Sequence, residues 1–233
     1  MPVFIAEDYY GPFWSKFELT TCDEADDERI AAGKKYLKDA EMQFIMEDVA
    51  RAGDRKFEFI TVEIEWPEEY LPRKLQLSQG TALPDYIHSY RGGSNGHNHS
   101  ALLSEKAMET IDQTKSGSDN WKFHEIKIED PAGKEVARYF AWLITTRRDA
   151  VDALSPGVKS VGGPIDGKHL FEYSGERSPE NLRLKKDEVK DLNAWTDFRF
   201  YGNYGIFVSD EVFQKMTEAS LSGFAAQSTW SVV

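Results

Sequence analysis

His97 and His99 form an HxH pair inside HSYRGGSNGHNHS, His88 to Ser100, with Asp85 just upstream. Imidazole nitrogens bind zinc and other divalent ions. In an extended loop alternate residues point the same way, so two rings could share one ion, with His88 nearby and Asp85 or a distant carboxylate completing the set. No further fixed ligand spacing follows, and a solvated Gly-rich turn explains the same residues. His97 and His99 therefore define an alternative, a metal-binding protein or hydrolase-like enzyme, and not the leading expectation. GGSNG lacks the Lys and Ser or Thr of a phosphate loop and no clear strand precedes it, so it fits neither nucleotide pattern. Cys22 sits in an acidic stretch, where negative charge disfavours the thiolate. No serine lies in a GxSxG elbow, and Ser104 and Ser209 are explained as helix caps. No catalytic set and no cofactor motif emerge, so the expectation is a protein that is not an enzyme and carries no cofactor.

The elements around these residues follow from periodicity. After a short strand-like start, an acid-rich run leads into DERIAAGKKYLKDAEMQFIMEDVARAG, with Ala31, Tyr36, Leu37, Phe44, Ile45 and Val49 at helical spacing and Gly33 weakening the pattern. Asp23, Asp26 and Asp27 suit the positive end of that helix dipole. FEFITVEIEW, Phe57 to Trp66, alternates, placing Ile60, Val62, Ile64 and Trp66 on one face of a half-buried strand that Pro67 stops. Pro84 to Ser100, with Gly92, Gly93 and Gly96, reads as a loop and a boundary between lobes.

Beyond the loop, ALL is a short strand, Ser104 caps a helix over EKAMETIDQ, and WKFHEIKI and VARYFAWLI form a hairpin turned by Asp130, Pro131 and Gly133. Val136 to Ile144 is apolar on both faces, the mark of a central strand. Trp121, Tyr139, Phe140 and Trp142 are predicted core. Arg147, Arg148, Asp149 and Asp152 read as a solvated strand exit. His169 to Tyr173 is the one strand signal in the Gly- and Ser-rich tail. Asp197 to Phe224 then offers a strand, a turn at Gly202 and Asn203, a strand ending at Val208, a helix capped by Ser209, and Gly223 at its exit. ALLSEKAMETI and IFVSDEVFQKM share a strand, Ser, acid and helix order, which local capping physics explains without a longer repeat.

These elements predict an α+β fold, an antiparallel or mixed sheet with a few flanking helices, in which 1–100 form a smaller N-terminal α+β lobe and 101–233 a second α+β region. The 233 residues suit one α+β domain or two lobes sharing a core. The chain has 28 Lys and Arg against 40 Asp and Glu, a formal charge of -12, which argues against nucleic acid and favours encounter with basic proteins. One cysteine permits no internal disulfide. The opening MPVFIAEDYYGPFW lacks a basic n-region, and no stretch reaches the ~18 apolar residues of a membrane span. A cytoplasmic protein is expected, with no membrane partner.

Over Leu102 to Phe224 the chain resembles a family of bacterial immunity proteins from polymorphic toxin systems. The motifs are LLSEKAMETI, WKFHEIKIEDPAGKE, ARYFAWLITTRRDAVDALS and GIFVSDEVFQKMTEASLSGF, the last being the most specific. Where the family has "DxxxS" after its aromatic strand, this chain has Asp152 and Ser155 in DALS. The resemblance implies a role and no site: binding and occluding a cognate toxin domain, usually encoded next door.

Overall fold

The computed structural model describes residues 1–8, 18–22, 24–33, 35–36, 62–63, 67–80, 82–88, 100–165, 168–197, 200 and 205–233. In chain order the elements are β1 (Val3–Glu7), β2 (Glu18–Thr21), α1 (24–33), β3 (Val62–Glu63), β4 (Lys74–Gln79), β5 (Tyr86–Ile87), β6 (Ser100–Ser104) and α2 (Glu105–Asp112). They continue with β7 (Trp121–Glu129), β8 (Glu135–Ile144), β9 (Thr146–Arg148), β10 (Val158–Ile165), β11 (Lys168–Tyr173), β12 (Arg183–Leu184) and α3 (Lys186–Val189). The last are β13 (Ala194–Asp197), β14 (Ile206–Val208), α4 (Asp210–Glu218), β15 (Phe224–Thr229) and β16 (Ser231–Val232). The fold is α+β with mixed sheets, as the periodicity predicts.

Two six-stranded sheets carry the molecule, ordered β15-β1-β14-β13-β9-β3 and β2-β4-β7-β8-β6-β5. Residues 1–100 supply strands to both, so the segments before and after residue 100 share each sheet. The alternation of strand side chains builds three cores. Val3 and Ile5 of β1, Ala101 and Leu103 of β6, Trp142 and Ile144 of β8, and Ile206 and Val208 of β14 enter one central cluster with Ala107, Ile111, Val212 and Met216 of the helices. The opposite faces, Phe4, Trp195 and Phe207 in one sheet and Leu102, Ala141 and Leu143 in the other, fill two outer clusters. Every strand of the inner pairs is therefore apolar on both sides, which is why Val136 to Ile144 shows little alternation towards its end.

The likeness between ALLSEKAMETI and IFVSDEVFQKM extends well beyond the helix caps. β5 pairs antiparallel with β6, α2 follows, and the chain returns as β7 with β8 lying between β6 and β7. Likewise β13 pairs antiparallel with β14, α4 follows, and the chain returns as β15 with β1 lying between β14 and β15. The registers agree: Tyr86 faces Leu103 and Ala194 faces Val208, in each case the residue before the capping serine. Only the middle strand differs in origin, coming from the following hairpin in one unit and from the opposite end of the sequence in the other.

Several local expectations hold. Ser104 and Ser209 accept the Ala107 and Val212 N–H groups at 3.2 and 3.3 Å. Asp130 takes the Ala132 and Lys134 N–H groups at 2.9 and 3.0 Å, and Gly133 adopts φ +79° to close the hairpin.

Others are corrected. In α1 the buried positions are Asp26, Ile30 and Gly33, while Ala31 and Tyr36 are exposed. Asp26, in the first turn of α1 as expected, faces inward and pairs with Arg29, 2.7 Å away. Leu37, Phe44, Ile45, Val49, Ile60, Ile64, Trp66, Gly202 and Asn203 lie outside the described residues. Arg147 to Asp152 is no solvated exit: Asp149 is buried 3.1 Å from Lys185, and Asp152 lies 3.2 Å from Arg183. The strand expected at Asp197 begins instead at Ala194.

Helix α4 ends at Ser220, φ +51°, and not at Gly223. The Leu221 N–H reaches Met216 O at 3.1 Å and the Ser220 N–H reaches Thr217 O at 2.9 Å, the paired bonds of a Schellman close. Gly223, at φ +91°, serves a different need, since a Cβ there would sit 2.2 Å from Tyr86 O. A left-handed serine costs energy that glycine does not. Ser220→Gly is expected to raise the thermal midpoint, adding about 0.5–1 kcal/mol; an unchanged or lower midpoint in a calorimetric scan would argue against this cap.

Candidate functional site

Asp85 and His88, the described members of the histidine constellation, serve different masters. The Asp85 carboxylate accepts Ser104 Oγ–H at 2.7 Å, Ser222 N–H at 2.9 Å and Ser222 Oγ–H at 2.8 Å. Burial raises its pKa, but the two serines and the nearby Lys106 charge outweigh that and hold it below the usual carboxylate value. Asp85 is therefore committed to tying the start of α2 to the loop after α4. The matching position in the second unit is Asn193. It accepts Ser209 Oγ–H at 2.7 Å and donates through Nδ2 to Thr114 O at 2.7 Å, in the loop after α2. The chemistry explains the difference in residue type. Asp85 meets only donors, whereas Asn193 meets one donor and one acceptor.

His88 is fully buried, with Nδ1 3.0 Å from the Tyr86 hydroxyl and Nε2 lacking a hydrogen-bond partner among the described residues. Burial pushes its pKa down to about 4. The unfolded imidazole takes a proton below about 6.5, whereas the folded one does so only below about 4. The unfolded state therefore binds more protons across that window, and stability present above it is lost as pH falls through it. Denaturation midpoints measured from neutral pH to the bottom of this range should decline in the wild type and decline less in His88→Phe; parallel curves would refute the assignment.

His97 and His99 lie outside the described residues. Among the described residues no three His, Cys, Asp or Glu side chains converge to hold a metal. Cys22 is half-buried just past the end of β2. Asp152 and Ser155 act as a staple on β12. The Arg183 carbonyl accepts the Asp152 N–H at 3.0 Å and Ser155 Oγ–H at 3.2 Å, while the Arg183 N–H donates back to Ser155 Oγ at 3.1 Å.

The surface with the clearest character is the helix pair. Helices α2 and α4 are in contact and bury Ala107, Ile111, Val212 and Met216 in the central cluster. Their remaining positions expose Glu105, Glu109, Asp112, Asp210, Glu211 and Glu218 against only Lys106 and Lys215. Asp85 and Asn193 lock both helices end to end, so these carboxylates stand on a rigid frame. Such a surface raises the local concentration of a cationic partner and speeds its docking. Its signal in the sequence is the acid after each capping serine, which helix-dipole physics accounts for equally well.

No family model and no curated protein match this chain. No helix among the described residues is long and apolar enough to cross a membrane, which says nothing of strands.

Proposed function

We propose that the protein is an immunity protein, acting in the cytoplasm to neutralise a cognate toxin domain by direct binding and occlusion, without catalysis. One observation carries the reading. The segments that resemble the immunity family, LLSEKAMETI and GIFVSDEVFQKM, are the two strand and helix units that pack together and present the acidic face. A net charge of -12 suits capture of a basic domain, because opposite fields raise association rates by ~10–10³-fold at low salt. Tight binding then rests on a few aromatic or arginine anchors within a polar rim.

The test is co-expression with the product of the adjacent gene, scoring survival and co-purification together. Rescue of growth with a stable complex is the expected result; a harmless neighbour, or toxicity that this chain does not relieve, rejects the reading. Given a complex, Glu109→Lys with Glu211→Lys is expected to slow association by about tenfold at low salt. An unchanged rate would place the contact on another face.

A further inference from the structure

In a chain of charge -12, four cations gather on one concavity. A cavity of about 310 Å³ is lined by Arg29, Arg73, Lys74 and Lys127 together with Ala25 and Asp26. Lys74 of β4 and Lys127 of β7 are direct partners in a parallel pair, so two like charges stand opposite each other. That arrangement is destabilising unless something neutralises it. Arg73 is fixed beside them, since its carbonyl accepts the Lys127 N–H at 3.1 Å. Helix α1 supplies the third wall through Arg29, whose Nη1 is held 2.7 Å from the buried carboxylate of Asp26.

The internal counter-charges are incomplete. Lys74 reaches Glu129 only at 3.7 Å and Lys127 reaches Glu135 at 3.4 Å, both through partly exposed side chains. Such contacts are weak and easily exchanged. Arg73 is exposed and makes no ion pair among the described residues. Asp26, the one acid among the described residues that line the cavity, is turned inward and held by Arg29.

We propose that the concavity framed by Arg29, Arg73, Lys74 and Lys127 is a binding site for a compact phosphate-type oxyanion, such as a phosphate or pyrophosphate group. Guanidinium groups grip such an oxyanion in a bidentate fork and the two ammonium groups add point charges. The volume is at the small end of ligand pockets, which suits an anionic group and not a large organic body. None of the four cations belongs to α2 or α4, and the existence of the site does not depend on the toxin reading.

Calorimetric titration of the full chain at low ionic strength tests it, with inorganic pyrophosphate, inorganic phosphate and sulfate as separate ligands. Saturable one-to-one binding of pyrophosphate or phosphate is expected, weakened at least about tenfold, or 1.4 kcal/mol, by Arg73→Gln and by Lys127→Gln. Preference for pyrophosphate over phosphate would indicate a diphosphate ligand, and the reverse a single phosphate group. Lys106→Gln, on the helix face, should bind as the wild type does, and thermal midpoints should confirm that all variants fold. The proposal is overturned by absence of saturable heat, by sulfate binding as well as either phosphate, or by Arg73→Gln and Lys127→Gln both retaining wild-type affinity.

Discussion

Alanine in place of Trp142 is expected to lower the unfolding free energy by about 3–5 kcal/mol. The indole is 0% exposed and belongs to β8, the strand held between β6 and β7. It meets Trp121 edge-on, with ring centroids 5.8 Å apart at 89°. The cluster it fills is the one shared by both sheets and both paired helices, so the void opens where the two units meet. Phenylalanine should cost far less. Neither Trp142 Nε1 nor Trp121 Nε1 has a hydrogen-bond partner among the described residues, so removing one indole also removes a buried donor that they leave unsatisfied. Guanidinium unfolding curves for the two variants provide the check. Similar midpoints for Trp142→Ala and Trp142→Phe would mean that the cluster is not the shared core described.

Asp85→Ala is expected to cost about 2–3 kcal/mol at neutral pH, since hydrogen bonds to a charged acceptor contribute roughly 1.5–3 kcal/mol and stranded donors add to the loss. The carboxylate is the common acceptor for the α2 cap and for the turn that follows α4. Its folded pKa lies below the ordinary aspartate value of about 3.9, so its contribution is complete above that value and disappears as pH falls through the folded one. The gap between wild type and variant should therefore be widest at neutral pH and close in acid. A gap that persists at low pH would show that Asp85 acts through packing and not through charge. Ser222→Ala should reproduce part of the loss.

Much of this frame was legible in the residues. Ser104 and Ser209 announce their helices because an acid and an amphipathic turn follow each, and Asp130 with Gly133 announces the hairpin. These are short-range signals, complete within a few residues. What escaped is what depends on residues far apart. Asp85 was read beside His97 and His99 because sequence places them close. Its true partners include Ser222, separated from it by 137 positions. Asp26 shows its place at the start of α1, but that it faces inward with Ile30 and Gly33 is decided by what covers α1. Arg29, Arg73, Lys74 and Lys127 show no common motif at all; parallel pairing of β4 with β7 brings two of them opposite each other. The equivalence of the two units was half visible. The capping segments look alike, but the middle strand of the second unit stands at the other end of the chain.

That displaced strand also sets a schedule for biosynthesis. Val3 finds its register partners only when Val208 and Thr229 have been made. At about 5–20 residues per second, the delay is on the order of 10–40 s. Throughout it VFIA is an apolar, uncharged tetrapeptide with β-forming residues and no sheet to join. The hairpin unit can assemble once its own residues have emerged, whereas the other unit must wait for its partners at Val208 and Thr229. A chain stalled before Val208 thus keeps its first strand open to chaperones and proteases, and synthesis through Thr229 becomes the condition for burying it on both edges.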